Sequence, residues 1–317
     1  MVIIWFIKIY QWGLYRFESV YKLMSKGKNS ILPDGFYKIY HSLINKKIRN
    51  DIYPLLIKYK NSEDSFVNIE TKDVIWVLWW QTDSVPELVS QNIGMMKKNI
   101  SKEVIVLNEV NVGNYIDIPD DILNNVKSGK NTMTLLSDYI RTRILYEYGG
   151  IWLDSTILVM EKSKILELPL NEENRFVTIK GITDFGDRFI SQDRWTIYCI
   201  GGCSHQSFFK FVNEGIEHYL LDKDLVPDYF LTDHLFDIAY EENIGDFKNK
   251  VRKVLVNNVY AERLAGIINE SYNKKELQHM CKNKNTTLFK LSNKSKYVKK
   301  NSNGDVTFYG ELYGLRR

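Results

Sequence analysis

The stretch SDYIRTRILYEYGGIWLDST, from Ser137 to Thr156, constrains this chain more than any other. It reads as an amphipathic helix, a glycine break and a short buried strand that ends on a carboxylate. Ile140, Ile144, Leu145 and Tyr148 recur at helical spacing and define an apolar face. Ser137 is suited to cap the helix, with Asp138 in the first turn, where the helix dipole favours an anion. Gly149 and Gly150 supply the positive-φ stop that an abrupt change of direction needs. Ile151, Trp152 and Leu153 then form the strand, and Asp154 falls just past its carboxyl end, the edge where open α/β sheets bind ligands. Asp138 and Arg141 are three apart and share one helix face. If that face looks at the strand end, Asp138, Arg141, Asp154, Ser155 and Thr156 surround one cavity. The plain alternative for Asp138 and Arg141 is a surface ion pair, worth roughly 0.2–0.5 kcal/mol. The GG-x-x-x-D spacing that follows favours a site.

The rest of the chain supplies a sheet for this stretch to join. Val74 to Trp80, VIWVLWW, is a continuous apolar run of the kind buried on both faces of a parallel sheet, and Gln81 ends it. A helix from Pro86 to Lys98 leads to a second strand, Glu103 to Leu107. That β-α-β succession implies a parallel sheet with a right-handed crossover, hence an α/β class with a mostly parallel sheet flanked by helices. Phe176 to Lys180 and Trp195 to Ile200 read as further strands, and TDFGDRFISQDR between them suits a mobile loop over a cleft. Helices are expected from His205 to Leu221 and through DYFLTDHLFDIAYEE, with a helical then strand-like pattern from Glu262 to Leu291. The organisation expected is a helical appendage over 1–70, a catalytic α/β unit over 71–292 and a basic tail over 293–317. The closing FYGELYGLRR gives no clear reading.

Composition excludes more than it identifies. A net charge of +4 offers no groove for nucleic acid, and 44% hydrophobic with 26% charged residues is ordinary for a sizeable core. Three cysteines make no disulfide framework and suit a reducing compartment. Cys199, Cys203 and His205 fit no zinc spacing and read as buried thiols beside a loop. Neither G-x-G-x-x-G nor G-x-x-x-x-G-K-[ST] occurs, so the usual backbone cradles for phosphate are absent. The N-terminal MVIIWFIKIYQWGLYRF is interrupted by Lys8 and Arg16 and is too short to span a bilayer. Trp5, Phe6, Trp12, Tyr15 and Phe17 suit a helix lying in the membrane interface, against the alternative of a helix packed on the main domain. The lysine-rich run from Lys282 to Lys300 reads as a solvated tail or a contact for anionic lipid.

The core pattern S-D-x-x-R-x-x-x-L-x-x-x-G-G-x-x-x-D-x-T resembles glycosyltransferases that carry a DXD metal motif on a GT-A, Rossmann-like fold. The variant GGIWLDST is similar to their bacterial capsular-polysaccharide-synthesis branch, which is like glycosyltransferase family 32. IWVLWWQ, RWTIYCIGG, DYFLTD and TTLFKLS extend the resemblance over roughly Val74 to Leu291. It implies a retaining transfer of galactose or glucose from a UDP-sugar to a lipid-linked, polyprenyl diphosphate saccharide at the cytoplasmic face of the cell membrane. Trp80 or its neighbour Trp79 is expected to stack on the uracil, and Gln81 to hydrogen-bond to it. Asp138 and Arg141 orient the sugar, beside Ser155 and Thr156. Asp154 is the expected first ligand of Mn²⁺ or Mg²⁺. Thr156 stands where that motif has its second carboxylate, so the metal is held through water, by Asp154 alone with the diphosphate, or with help from Asp233 or His234. Asp233 is also the candidate to stabilise an oxocarbenium-like centre, while the leaving phosphate takes the acceptor proton.

Two other classes compete. A phosphatase with Asp154 as nucleophile wants an aspartate at position 156 and a glycine soon after, whereas Thr156, Ile157 and Leu158 follow. A catalytically inert protein that binds carbohydrate or nucleotide-sugar is compatible with the missing second carboxylate.

Overall fold

The run VIWVLWW forms β1 (Val74–Leu78), with all five side chains buried. It pairs in parallel with β2 (Glu103–Leu107) on one side and β3 (Gly150–Leu153) on the other. Beyond β3 lie β6 (Cys199–Gly202), antiparallel to it, and the edge strand β5 (Phe176–Thr178). The sheet order is therefore β2-β1-β3-β6-β5, in which four strands share a direction and β6 alone is reversed. A two-stranded ribbon of β4 (Ile157–Val159) and β7 (Leu288–Lys290) stands beside it. The computed structural model describes residues 34–64, 71–171, 173, 175–182, 189–222, 226–283 and 285–314. The interfacial segment expected around Trp5 to Phe17 lies outside the described residues, as does part of the loop expected over the cleft.

The helices follow the apolar periodicity with shifted ends. They are α1 (Asp34–Asp51), α2 (Tyr53–Tyr59), α3 (Glu87–Asn99), α4 (Asp120–Lys127), α5 (Met133–Tyr148), α6 (Ser207–Asp222), α7 (Leu231–Glu241), α8 (Phe247–Lys253) and α9 (Phe308–Gly314), with shorter turns between. Helix α5 starts a turn earlier than Ser137 suggests, because the Thr132 hydroxyl accepts from the Leu135 amide and caps it. Ile140, Ile144 and Leu145 are fully buried, as their spacing implies. The helix stops at Gly149, with φ 68°, and Gly150 follows at φ 93°. A Cβ on Gly149 would lie 2.7 Å from the Ser204 amide, and one on Gly150 would lie 2.7 Å from Nε1 of Trp76. That indole donates to the Gly149 carbonyl at 2.8 Å. The pair is thus required twice, for backbone conformation and for space.

The N-terminal helices are part of the main core. Tyr40, Ile44, Ile48 and Ile52 share one buried cluster with Trp76, Trp152, Phe208 and Phe236. Arg49 bridges α1 to Glu241 and Glu242 at the end of α7. The stretch over 293–314, expected as a basic tail, likewise packs onto the domain. Phe308, Tyr309 and Leu312 are buried with Leu158 and Phe289 of the ribbon, and the Tyr313 hydroxyl donates to Asn92 of α3 at 2.7 Å. Its lysines hid an aromatic helix whose spacing carries the packing. No described helix is long and apolar enough to cross a membrane.

Candidate active site

The carboxyl ends of β1, β2 and β3 lie at one edge of the sheet, and α5 delivers side chains to that edge from its own end. Asp138 and Arg141 do share a face: Nη1 of Arg141 donates to Oδ1 of Asp138 at 2.7 Å. Nη2 of the same guanidinium donates to Oδ1 of Asp154 at 3.0 Å. One arginine therefore joins a helix acid to the strand-end acid. It is only 5% exposed, and its planar group lies over the Trp152 ring at 5.0 Å. The backbone of α5 is held there by Asn213 of α6, whose amide donates to the Tyr139 carbonyl at 2.9 Å and to Thr142 at 3.0 Å.

The ribbon adds the residue that sequence reasoning missed. In the β4–β7 register Ile157 faces Lys290, so Lys290 arrives beside the turn that carries Asp154 to Thr156. Its ammonium donates to Oδ2 of Asp154 at 2.6 Å and to Oγ1 of Thr156 at 2.8 Å. Asp154 also accepts from Nε1 of Trp152 at 3.0 Å. Burial alone would raise this carboxyl, but Lys290 and Arg141 outweigh it and hold the group well below the usual carboxylate range.

Helix α7 closes the opposite wall. Thr232 donates to Oδ2 of Asp138 at 2.7 Å, and Nε1 of Trp195 donates to Oδ1 of Asp233 at 3.2 Å. Burial, against the Trp195 bond and with the Asp138 charge nearby, pushes Asp233 up to about 7. Burial also raises Asp138, an effect that Arg141 opposes. Asp138, Arg141, Asp154, Thr232, Asp233 and Lys290 all line one cavity of about 380 Å³, within the size of small-molecule sites. Phe189, Tyr229 and Phe230 reach the same cavity from loops.

Several expected residues lie elsewhere. His234 is fully buried and faces away: its Nδ1 is 2.7 Å from Oδ1 of Asn45 on α1, and burial holds it well below its ordinary pKa. The reason is helical. Successive residues on α7 point about 100° apart, so Asp233 in the cavity turns His234 toward α1. The expectation that His234 reaches the cleft or a metal is corrected accordingly. Ser155 is buried beside Asn92, which donates to its carbonyl at 3.3 Å, while Thr156 meets the site only through Lys290. Trp80 is half-buried against the main core and Gln81 is exposed. Neither lines the cavity, although both follow β1 at the same sheet edge, where the Glu109 amide donates to the Trp80 carbonyl at 3.0 Å. Cys199 and Cys203 are buried free thiols, and among the described residues no three His, Cys, Asp or Glu side chains gather at metal-binding spacing.

Comparison with solved structures finds similarity to one described as PaToxG glycosyltransferase, with 13% identity, a TM-score of 0.41, and 79% of this chain covering 96% of that one. A second, described as the apo structure of the WbbM bifunctional glycosyltransferase, has 12% identity and a TM-score of 0.40, with 80% of this chain matching 50% of that one. Likeness at that level carries no functional argument by itself. Comparison with curated proteins gives no match. The family described as capsular polysaccharide synthesis protein matches residues 28–312, nearly the whole chain, and the protein belongs to that family.

Proposed function

We propose that the chain is a retaining glycosyltransferase of capsule assembly, moving a hexose from UDP-galactose or UDP-glucose to a lipid-linked glycan at the inner membrane face. One observation carries this reading. Arg141 ties Asp138 on α5 to Asp154 beyond β3, with Lys290 alongside, at the sheet edge where α/β proteins hold their ligands. Membership in the capsule family supplies the glycan context. The hexose, the retained configuration and the lipid carrier rest on the sequence resemblance.

In this reading the bond between the anomeric carbon and the β-phosphate oxygen breaks, and its electron pair stays on the diphosphate. Arg141 and Lys290, which line the cavity, meet the charge that develops there. The acceptor oxygen bonds to the anomeric carbon from the same face, and its proton passes to the departing diphosphate. Asp138 and Asp233 accept bonds from the hexose hydroxyls. Asp233, raised to about 7, lines the same cavity as Arg141 and is suited to a centre gaining positive character. Trp80 and Gln81, just past β1, are assigned to the uracil.

The test is a panel of nucleotide-sugars incubated with lipid-linked acceptors, with products followed by anomeric proton NMR. Release of UDP from one UDP-hexose with an α-linked product is expected. Binding of a nucleotide-sugar with no release of its diphosphate would instead favour an inert binding protein.

A further inference from the structure

The resemblance implies a divalent cation at Asp154, but the donors there do not suit one. The two oxygens that flank the presumed metal position are Oδ2 of Asp154 and Oγ1 of Thr156, and an ammonium already lies 2.6 and 2.8 Å from them. The other carboxylate oxygen is taken by Arg141 and Trp152, each at 3.0 Å. Mg²⁺ demands near-octahedral oxygen ligands at about 2.0–2.1 Å. A dication between the same two oxygens would sit almost on Nζ of Lys290, against a like charge. Asp233 and Glu262 line the same cavity, but among the described residues no three His, Cys, Asp or Glu side chains gather at metal-binding spacing; Thr156 replaces the motif's second carboxylate and His234 faces α1.

We propose that the Lys290 ammonium, seated between Asp154 and Thr156, replaces the divalent cation and, with Arg141, anchors the donor diphosphate in a metal-independent transfer. An ammonium has three N–H bonds. Two point at Asp154 and Thr156, which leaves one for a phosphate oxygen in the cavity that Lys290 lines. Asp154 then acts by aiming two cations. Thr156 is a neutral acceptor suited to an ammonium, where a second carboxylate would suit a metal. This deepens the proposed function and rests on the donor being a nucleoside-diphosphate sugar.

The experiment has three arms on the full-length chain. Mn²⁺ alone is titrated and the free-ion EPR signal followed; the signal should persist at stoichiometric protein. UDP and uridine binding are measured by calorimetry in EDTA and in Mn²⁺; UDP should bind equally in both. Lys290→Met should weaken UDP by about tenfold or more, the scale of one hydrogen bond to a charged group, with uridine unchanged, Mn²⁺ giving no rescue and Lys290→Arg recovering part of the loss. Stoichiometric loss of the Mn²⁺ signal, or UDP binding that requires Mn²⁺, overturns the inference and leaves the transferase reading standing. Failure of UDP to bind in either condition removes the UDP-sugar reading and this inference together. If Lys290→Met does not fold, the two wild-type arms decide.

Discussion

The Lys290 ammonium lies 2.6 Å from Oδ2 of Asp154, a contact between residues 136 positions apart in the chain. Arg141 meets the other oxygen of the same carboxylate at 3.0 Å. One acid thus orders two cations, one from a helix and one from the ribbon, and their joint geometry is what a diphosphate would meet.

Arg141 is the member of this set whose shape matters most. It reaches Asp138 with Nη1 and Asp154 with Nη2, two nitrogens set apart on a rigid plane, a spread that an ammonium's donors, all on one nitrogen, do not have. Arg141→Lys should lower kcat/KM for the donor by about 100-fold, on the order of 3 kcal/mol of transition-state stabilisation. Circular dichroism should show the fold retained. Steady-state kinetics with a fixed acceptor checks the loss; a change under threefold would remove Arg141 from the site.

Asp233 should leave a signature in stability against pH. Its folded pKa of about 7 lies above the ordinary 3.8, because burial disfavours the charged form. Between those values the folded state binds more protons than the unfolded one, so stability contributed at low pH is lost as pH rises from about 4 to 7. Asp233→Asn removes that loss. Compared by urea unfolding at pH 4.5 and pH 8, the variant should gain on wild type at the higher pH, on the order of a few kcal/mol at ~1.4 kcal/mol per pKa unit. Transfer by the same variant should fall and lose its dependence on a group near pH 7.

His234 should behave as core. His234→Ala removes a buried ring that bonds Asn45 and packs against His41 at 5.6 Å. A loss of about 2–4 kcal/mol in urea unfolding is expected. At a temperature where the variant remains folded, donor and acceptor KM should match wild type. A selective loss of donor affinity would return His234 to the site.

How much of this was legible in the sequence depends on range. The Asp138–Arg141–Asp154 meeting spans 17 residues of helix, turn and strand, so spacing and two glycines defined it. β1, β2 and α3 are legible from apolar runs and a β-α-β order, β2 with both ends as expected and β1 and α3 with ends shifted by one or two residues. Lys290 sits within TTLFKLS with nothing local to mark it, because only the pairing of Ile157 with Lys290 brings it to Asp154. The side of α7 that His234 takes depends on the helix phase, which Thr232 and Asp233 fix by facing Asp138 and Trp195. Helix α9 was hidden because its aromatics bury against α3 and the ribbon, elements distant in sequence.

The most direct test of the central claim is UDP release from UDP-hexoses by wild type and by Asp154→Asn, which keeps the size of the side chain and removes the charge that aims Arg141 and Lys290. Wild type should turn over one UDP-hexose, and the variant should be slower by at least about 100-fold, near 3 kcal/mol, with its circular dichroism unchanged. Equal turnover by the two proteins would contradict the account.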